Sequence, residues 1–197
     1  MAGKVAYLPH VKGDQADVSD EVLLAACAMG DSTALATLFD RHHRSAYGFL
    51  ARVSGASGQD LDDLVQTTFL QVLQSARRFK GKAAVRTWIL GIASNVARRH
   101  FRGEARRRRL AEALAGAPRP EVPTPDTDAE TQRQLRKLTA AVAALPHHLR
   151  VVFAMCEIEG VPGVEAARVL GVRQGTLWRR LHEARKALAA AIERRHA

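Results

Sequence analysis

The sequence predicts an all-α protein of two small helical domains joined by a Pro-rich linker, the second carrying a helix-turn-helix. Three observations lead there. Apolar residues recur at three- and four-residue steps, and no stretch shows the two-residue alternation of a half-buried strand. Four of the seven prolines fall in Pro118-Arg-Pro-Glu-Val-Pro-Thr-Pro125, followed by Asp126-Thr127-Asp128, which can neither continue a helix nor build a core. From Val164 to Ala191 the pattern is helix, short turn, helix. The expected organisation is an extension over 1–18, a first domain over 19–113, a linker over 114–129 and a second domain over 130–197.

In the first domain, Leu35, Leu38, Phe39, His42, Ala46, Phe49 and Val53 form one amphipathic stripe, and Leu61, Leu64, Val65, Phe69, Val72 and Leu73 form another. Gly30-Asp31-Ser32 should close one helix and cap the next; Gly55 to Gly58 followed by Asp60 should do the same one helix later. A fourth helix is expected from about Thr87, burying Trp88, Ile92, Val96 and Phe101 on one face. In the second domain Leu135, Leu138, Val142 and Leu145 give a stripe that stops at Pro146, and Leu149, Val152, Phe153 and Cys156 give a helix that Pro162-Gly163 should end. Val164 to Leu170, a turn at Gly171-Val172 and Thr176 to Ala191 follow, with Leu177, Leu181, Ala184 and Leu188 facing inward. Cys27 and Cys156 stand far apart among apolar neighbours, as small core residues do.

With 30 Lys and Arg against 20 Asp and Glu, the chain carries a formal charge of +10, which favours nucleic acid as a partner. The charge is concentrated: twelve Lys or Arg lie between Arg77 and Arg109 against one acid, Glu104. Such a density suits a polyanion and is useless to a core. No apolar run approaches the roughly 20 residues that span a bilayer, and the N-terminus lacks a signal-peptide apolar block, so a cytoplasmic protein without membrane insertion is expected.

Three segments hold chemistry. Asp60, Asp62 and Asp63 open a helix, where negative charge suits the macrodipole; that explains part of the cluster, and the surplus, with Gln66 and Phe69 one turn on, suits a docking surface. Phe79-Lys80-Gly81-Lys82-Ala83-Ala84-Val85-Arg86 is a loop of small residues and cations able to hold an unstacked base, although a charge run is often only a solvated face. Glu165-Ala166-Ala167 has the small residues that let two helices approach, and Arg173-Gln174-Gly175-Thr176 opens the second helix with donors. Trp178, Arg179, Arg180, His182 and Arg185 point away from its apolar stripe toward a possible major groove. An ordinary helical hairpin with a basic face is the plainer account. Catalysis lacks material: His42-His43 and His147-His148 are adjacent pairs rather than ligands at i and i+4, and neither a phosphate-cradling glycine loop nor a nucleophile elbow is present. No enzyme, metal or cofactor is therefore expected.

Both domains, in this order, resemble the extracytoplasmic-function sigma factors of bacterial RNA polymerase. Three motifs carry the likeness: Asp60-Leu-Asp-Asp-Leu-Val-Gln-Thr-Thr-Phe69; Phe79-Lys-Gly81 with Arg86-Thr-Trp-Ile-Leu-Gly-Ile-Ala-Ser-Asn95; and Leu145-Pro146 with Glu165-Ala-Ala167 and Gly175-Thr-Leu-Trp-Arg-Arg-Leu181. The resemblance spans about residues 19–105 and 130–191. It implies that Asp62, Asp63, Gln66 and Phe69 belong to the helix that docks on the polymerase's largest subunit. It implies that the loop with Lys80, Lys82 and Arg86 receives a flipped base of the -10 element, with Asn95, Arg98, Arg99 and Arg102 on the adjoining helix. Arg173, Gln174, Thr176, Trp178, Arg179, Arg180, His182 and Arg185 would read the -35 element. Core RNA polymerase and promoter DNA are the implied partners, and an anti-sigma protein is a common one in the family. The chain departs from the family at Leu61, Thr67-Thr68 and Arg99, and on the recognition helix at Trp178 and His182-Glu183; these last changes bear on DNA sequence, so the promoter does not follow from relatives. Two other readings remain open: a helix-turn-helix regulator acting alone as a dimer, which leaves the acidic helix and basic loop unexplained, and a nonspecific nucleic-acid or RNA binder.

Overall fold

The computed structural model describes residues 18–115 and 139–193. They form α1 (Asp20–Ala28), α2 (Ser32–Ser54), α3 (Gly58–Ser75), a 3-10 turn (Ala76–Arg78), α4 (Val85–Ala115), α5 (139–144), α6 (His147–Phe153) continuing into a π-helical turn (Ala154–Ile158), α7 (Gly163–Leu170) and α8 (Gln174–Glu193). Among the described residues there is no strand. Residues 1–17, the expected linker from 116 onward, and the stripe residues Leu135 and Leu138 lie outside them.

The helix boundaries follow from local chemistry. Gly30 takes φ 97°, a left-handed value that costs glycine nothing, and Asp31 Oδ1 then accepts from the amides of Thr33 at 2.8 Å and Ala34 at 3.1 Å, capping α2 as expected. The next boundary differs. Gly55 ends α2 at φ 75°, but α3 starts at Gly58 behind Ser57, which makes no side-chain cap. Asp60 sits inside the first turn, where it favours the macrodipole without capping. Further on, α4 starts at Val85, two residues before the expected Thr87, and α8 at Gln174, two before Thr176. The helix through Phe153 ends earlier than Pro162-Gly163 would have it: Glu159 is its C-cap and Gly160 turns the chain at φ 67°, leaving Pro162 to open α7.

The expected apolar face of α4 is also rotated. Val85, Ile89, Leu90, Ala93, Val96 and Ala97 are buried, whereas Trp88 and Ile92 are only half-buried and Phe101 is exposed. Trp88 instead meets Phe79 edge-on, ring centroids 5.4 Å apart. The reason is that α4 has neighbours on two sides, with α2 and α3 on one and α7 on the other. At Gly91 the backbones approach so closely that an added Cβ would lie 2.8 Å from Val169 Cβ.

One core therefore runs through both domains. Leu38, Phe49, Val53, Phe69, Val72 and Leu90 of the first are continuous with Val152, Met155, Ala166, Leu177 and Leu181 of the second. A smaller cluster of Val142, Leu145, Leu149, Ala184 and Leu188 holds α5 to α8. Arg150, almost wholly buried, donates through Nη2 to the carbonyls of Ala143 and of Leu145, the latter at 2.9 Å, so the end of α5 is satisfied by a side chain from α6. Cys27 is buried, Cys156 half-buried, and both thiols are free; burial pushes both up.

Candidate nucleic-acid and polymerase interface

Helix α3 presents two faces three and four residues apart. Leu61, Leu64, Val65, Thr68, Phe69 and Val72 are buried, while Asp62, Asp63, Gln66, Thr67 and Leu70 are exposed. Asp62, Asp63 and Gln66 thus share one solvent face. Phe69 does not join them: it is 4% exposed and packs edge-on against Phe39, ring centroids 4.8 Å apart. Leu70, half exposed, stands on the acidic face instead. Asp63, Gln66 and Leu70 stand at i, i+3 and i+7, which was the available signal, obscured because the neighbouring aromatic is the more conspicuous residue.

Beyond the 3-10 turn, Lys80, Gly81 and Lys82 are exposed, with Gly81 at φ 64°. Arg98, Arg99 and Arg102 form an exposed cationic row on α4. Asn95 is half-buried and occupied locally: its Nδ2 donates to the Gly91 carbonyl at 3.2 Å, and its Oδ1 accepts from Arg98 Nη2 at 2.9 Å. Arg86 points at the second domain, donating through Nη1 to the Glu159 carbonyl at 3.1 Å and through Nη2 to the Glu159 carboxylate. The loop is covered there as well. Arg168 of α7 donates to the Lys82 carbonyl, and the Ala84 amide donates to Glu165 Oε2 at 3.3 Å.

In the helix-turn-helix, Ala166 and Ala167 are buried and Gly171 makes the turn at φ 66°. Arg173, just before α8, and Gln174, Trp178, Arg179, His182 and Arg185 on it are exposed, with Thr176 and Arg180 half-buried. Trp178 lies across the start of α7, where a Cβ on Gly163 would come within 2.6 Å of the indole Cζ2. It braces the two helices while keeping half its surface free. Arg185 pairs with Glu157, its Nε 3.2 Å from Oε1. Glu157, Glu159 and Arg168 belong to no sequence motif described above, and Glu165 entered only as the first residue of Glu165-Ala-Ala167; the importance of Glu159, Glu165 and Arg168 is a product of the inter-domain packing. His147 sits at the same seam, bonded through Nδ1 to the Val53 carbonyl at 3.2 Å and stacked on Phe101. Burial pulls its pKa below the ordinary imidazole value, helped by Arg150 and Arg98.

Residues 38–107 match the family model for sigma-70 region 2, and residues 135–188 that for sigma-70 region 4. Along 98% of the chain and 94% of the relative, the sequence is 33% identical to the ECF RNA polymerase sigma factor SigM of Mycobacterium tuberculosis. The chain belongs to the ECF RNA polymerase sigma factors. Another relative, the ECF RNA polymerase sigma-E factor of Haemophilus influenzae, is 26% identical over 89% of the chain and 96% of its own length. Among solved structures, CnrH in complex with the cytosolic domain of CnrY superposes with a TM-score of 0.63 at 25% identity, covering 88% of this chain and 97% of that one. RpoE of Bartonella quintana, in complex with the anti-sigma factor NepR, gives 0.58 at 20% identity, covering 80% and 95%, and speaks for the fold. This sigma factor is thus a transcription initiation subunit that works through RNA polymerase. Among its described residues no helix is long and apolar enough to cross a membrane, and no group of three or more His, Cys, Asp or Glu could hold a metal.

Proposed function

We propose a division of labour within this sigma factor. The acidic face of α3, Asp62, Asp63 and Gln66, with Leu70, docks on core RNA polymerase, and Phe69 holds that face in place from behind. The loop with Lys80, Lys82 and Arg86 takes an extruded base of the -10 element, and Asn95, Arg98, Arg99 and Arg102 supply salt-sensitive phosphate contacts. Arg173, Gln174, Thr176, Arg179, Arg180, His182 and Arg185 face the -35 element, with Trp178 bracing the recognition helix and adding apolar contact. The protein has no chemistry of its own and acts in the cytoplasm, where its polymerase is. An anti-sigma protein is a further candidate partner, as RpoE of Bartonella quintana was solved with the anti-sigma factor NepR.

The observation that carries this reading is that two helices packed against each other expose opposite charge, α3 an acidic face and α4 a cationic row. Charge reversal at Asp62 and Asp63 should abolish co-elution with core polymerase in gel filtration while leaving helical content unchanged. Undiminished co-elution would remove this surface from the docking site.

A further inference from the structure

The carboxylate of Glu159 is the most enclosed charge at the domain seam, its side chain 6% exposed. Oε1 pairs with Arg52 Nη2; Oε2 accepts from Ser45 Oγ at 3.1 Å and pairs with Arg86 Nη2. Ser45, Gly48 and Arg52 lie on one face of α2 at i, i+3 and i+7. Gly48 makes room for the cation, because a Cβ there would meet Arg52 Nη2 at 3.3 Å and Nη1 at 3.4 Å. Arg52 Nε is buried and has no acceptor. The first domain therefore supplies two guanidiniums, one hydroxyl and a clearing to an anion that the second domain supplies.

We propose that Ser45, Arg52 and Arg86 form a phosphate site for the backbone of single-stranded promoter DNA, and that Glu159 fills it as an internal latch. This phosphate site rests on the sigma-factor reading of the loop and α4. A phosphodiester offers two anionic oxygens, as a carboxylate does, and guanidinium forks bind either. The site adjoins the base-receiving loop through Arg86 itself. The same docking that seats Glu159 also lays Arg168 on the Lys82 carbonyl and Glu165 on the Ala84 amide. DNA and the second domain thus compete for one set of donors, and undocking frees loop and phosphate site together.

The test measures binding of the full chain to a single-stranded oligodeoxynucleotide of about a dozen nucleotides by fluorescence anisotropy at several salt concentrations, beside an abasic strand of equal length. Glu159→Gln should bind both strands at least tenfold more tightly than the parent. Adding Arg52→Gln should reverse most of the gain and reduce the slope of log K against log salt by about 0.7, the value for one phosphate contact on a single strand. A Glu159→Gln protein that binds no more tightly overturns the latch, and a double variant with an unchanged slope overturns the phosphate site. Should Glu159→Gln lose its helical circular dichroism, Arg168→Ala, which removes only an exposed bond, must show the same tightening to a smaller extent, and its absence overturns the latch equally. Run-off transcription by the parent with core polymerase separates the two levels. If the parent initiates while these variants behave as it does, the latch alone fails; if the parent initiates nowhere, the sigma-factor reading itself fails.

Discussion

Replacing Gly91 with alanine sets two effects of opposite sign against each other. Inside a helix, alanine is favoured over glycine by about 1 kcal/mol, so an undocked α4 should gain that much. In the docked protein the new methyl would sit 2.8 Å from Val169 Cβ, 3.3 Å from its Cγ2 and 3.2 Å from its carbonyl oxygen. Carbon atoms prefer about 3.5 to 4.0 Å, and Cβ and carbonyl cannot rotate away, so α7 must retreat by roughly 0.7 to 1.2 Å. Overpacking of this kind costs about 1 to 3 kcal/mol. Docking should therefore weaken by the full penalty, roughly 5- to 150-fold at 1.4 kcal/mol per decade, while the first domain itself becomes more stable. Hydrogen exchange reads both at once: amides of α7 and of Ala84 should exchange faster, and those of α2 and α3 no faster than in the parent. Unchanged protection of α7 together with a stability gain of about 1 kcal/mol would show that α4 and α7 do not meet at Gly91 in solution.

Phe69→Ala should cost about 3 to 5 kcal/mol in urea unfolding, as emptied aromatic core sites do, whereas Leu70→Ala should change stability by less than about 0.5 kcal/mol yet weaken binding to core polymerase. The reverse pattern would exchange their roles. Because burial holds the folded pKa of His147 below its ordinary 6.5, its contribution is complete above pH 6.5 and is lost as pH falls from there through the folded value. His147→Gln should flatten that part of the stability–pH curve, and an equal slope in both proteins would assign it elsewhere. Since Glu159 is shielded from solvent, raising salt from about 0.05 to 0.5 M should leave α7 protected from exchange while weakening DNA binding steeply. Equal salt sensitivity of the two would contradict an enclosed latch.

Helix identity was most legible where cap and stripe coincide, as in α2: Gly30-Asp31 punctuates, and Leu38, Phe49 and Val53 repeat at the helical period. The face of α4 was misjudged for a physical reason. Amphipathic analysis assumes one buried side, but α4 is packed on two, so Trp88 and Ile92 satisfied the pattern while Ile89, Leu90 and Ala93 did the burying. Composition made 118–128 a boundary and so suggested domains that could stand apart; nothing in a linear pattern says that Glu159 will reach Arg52, 107 residues earlier. The exposed residues proposed for DNA and polymerase were recognisable because motif and charge coincide there. Those that cover them were not: Glu165 stood only as the first residue of Glu165-Ala-Ala167, and Arg168 looks like an ordinary solvent-facing charge of a short helix until α4 is placed beside it.

The energetics of the seam suit a contact that must both form and yield. Withdrawing the Glu159 carboxylate from water sacrifices hydration worth several kcal/mol, which two guanidiniums and one hydroxyl largely restore, so an enclosed pair of this kind is a weak source of net stability. An apolar plug of the same volume would often hold as well or better, but it would have no reason to release in favour of DNA. A carboxylate does, because any other anion delivered to Arg52 and Arg86 replaces its partners without leaving the cations bare. Reversing a 99:1 preference for the docked form takes about 5.5 kcal/mol of differential affinity. Contacts on α3 and on the cationic row of α4 are open in the docked form and bind both forms alike, so they supply none of it. The difference must come from groups that docking covers, Arg52, Arg86 and the loop at Lys82 and Ala84, and several must be engaged at once because no single contact of about 1 to 3 kcal/mol suffices. The close approach at Gly91 sets how much they must jointly provide.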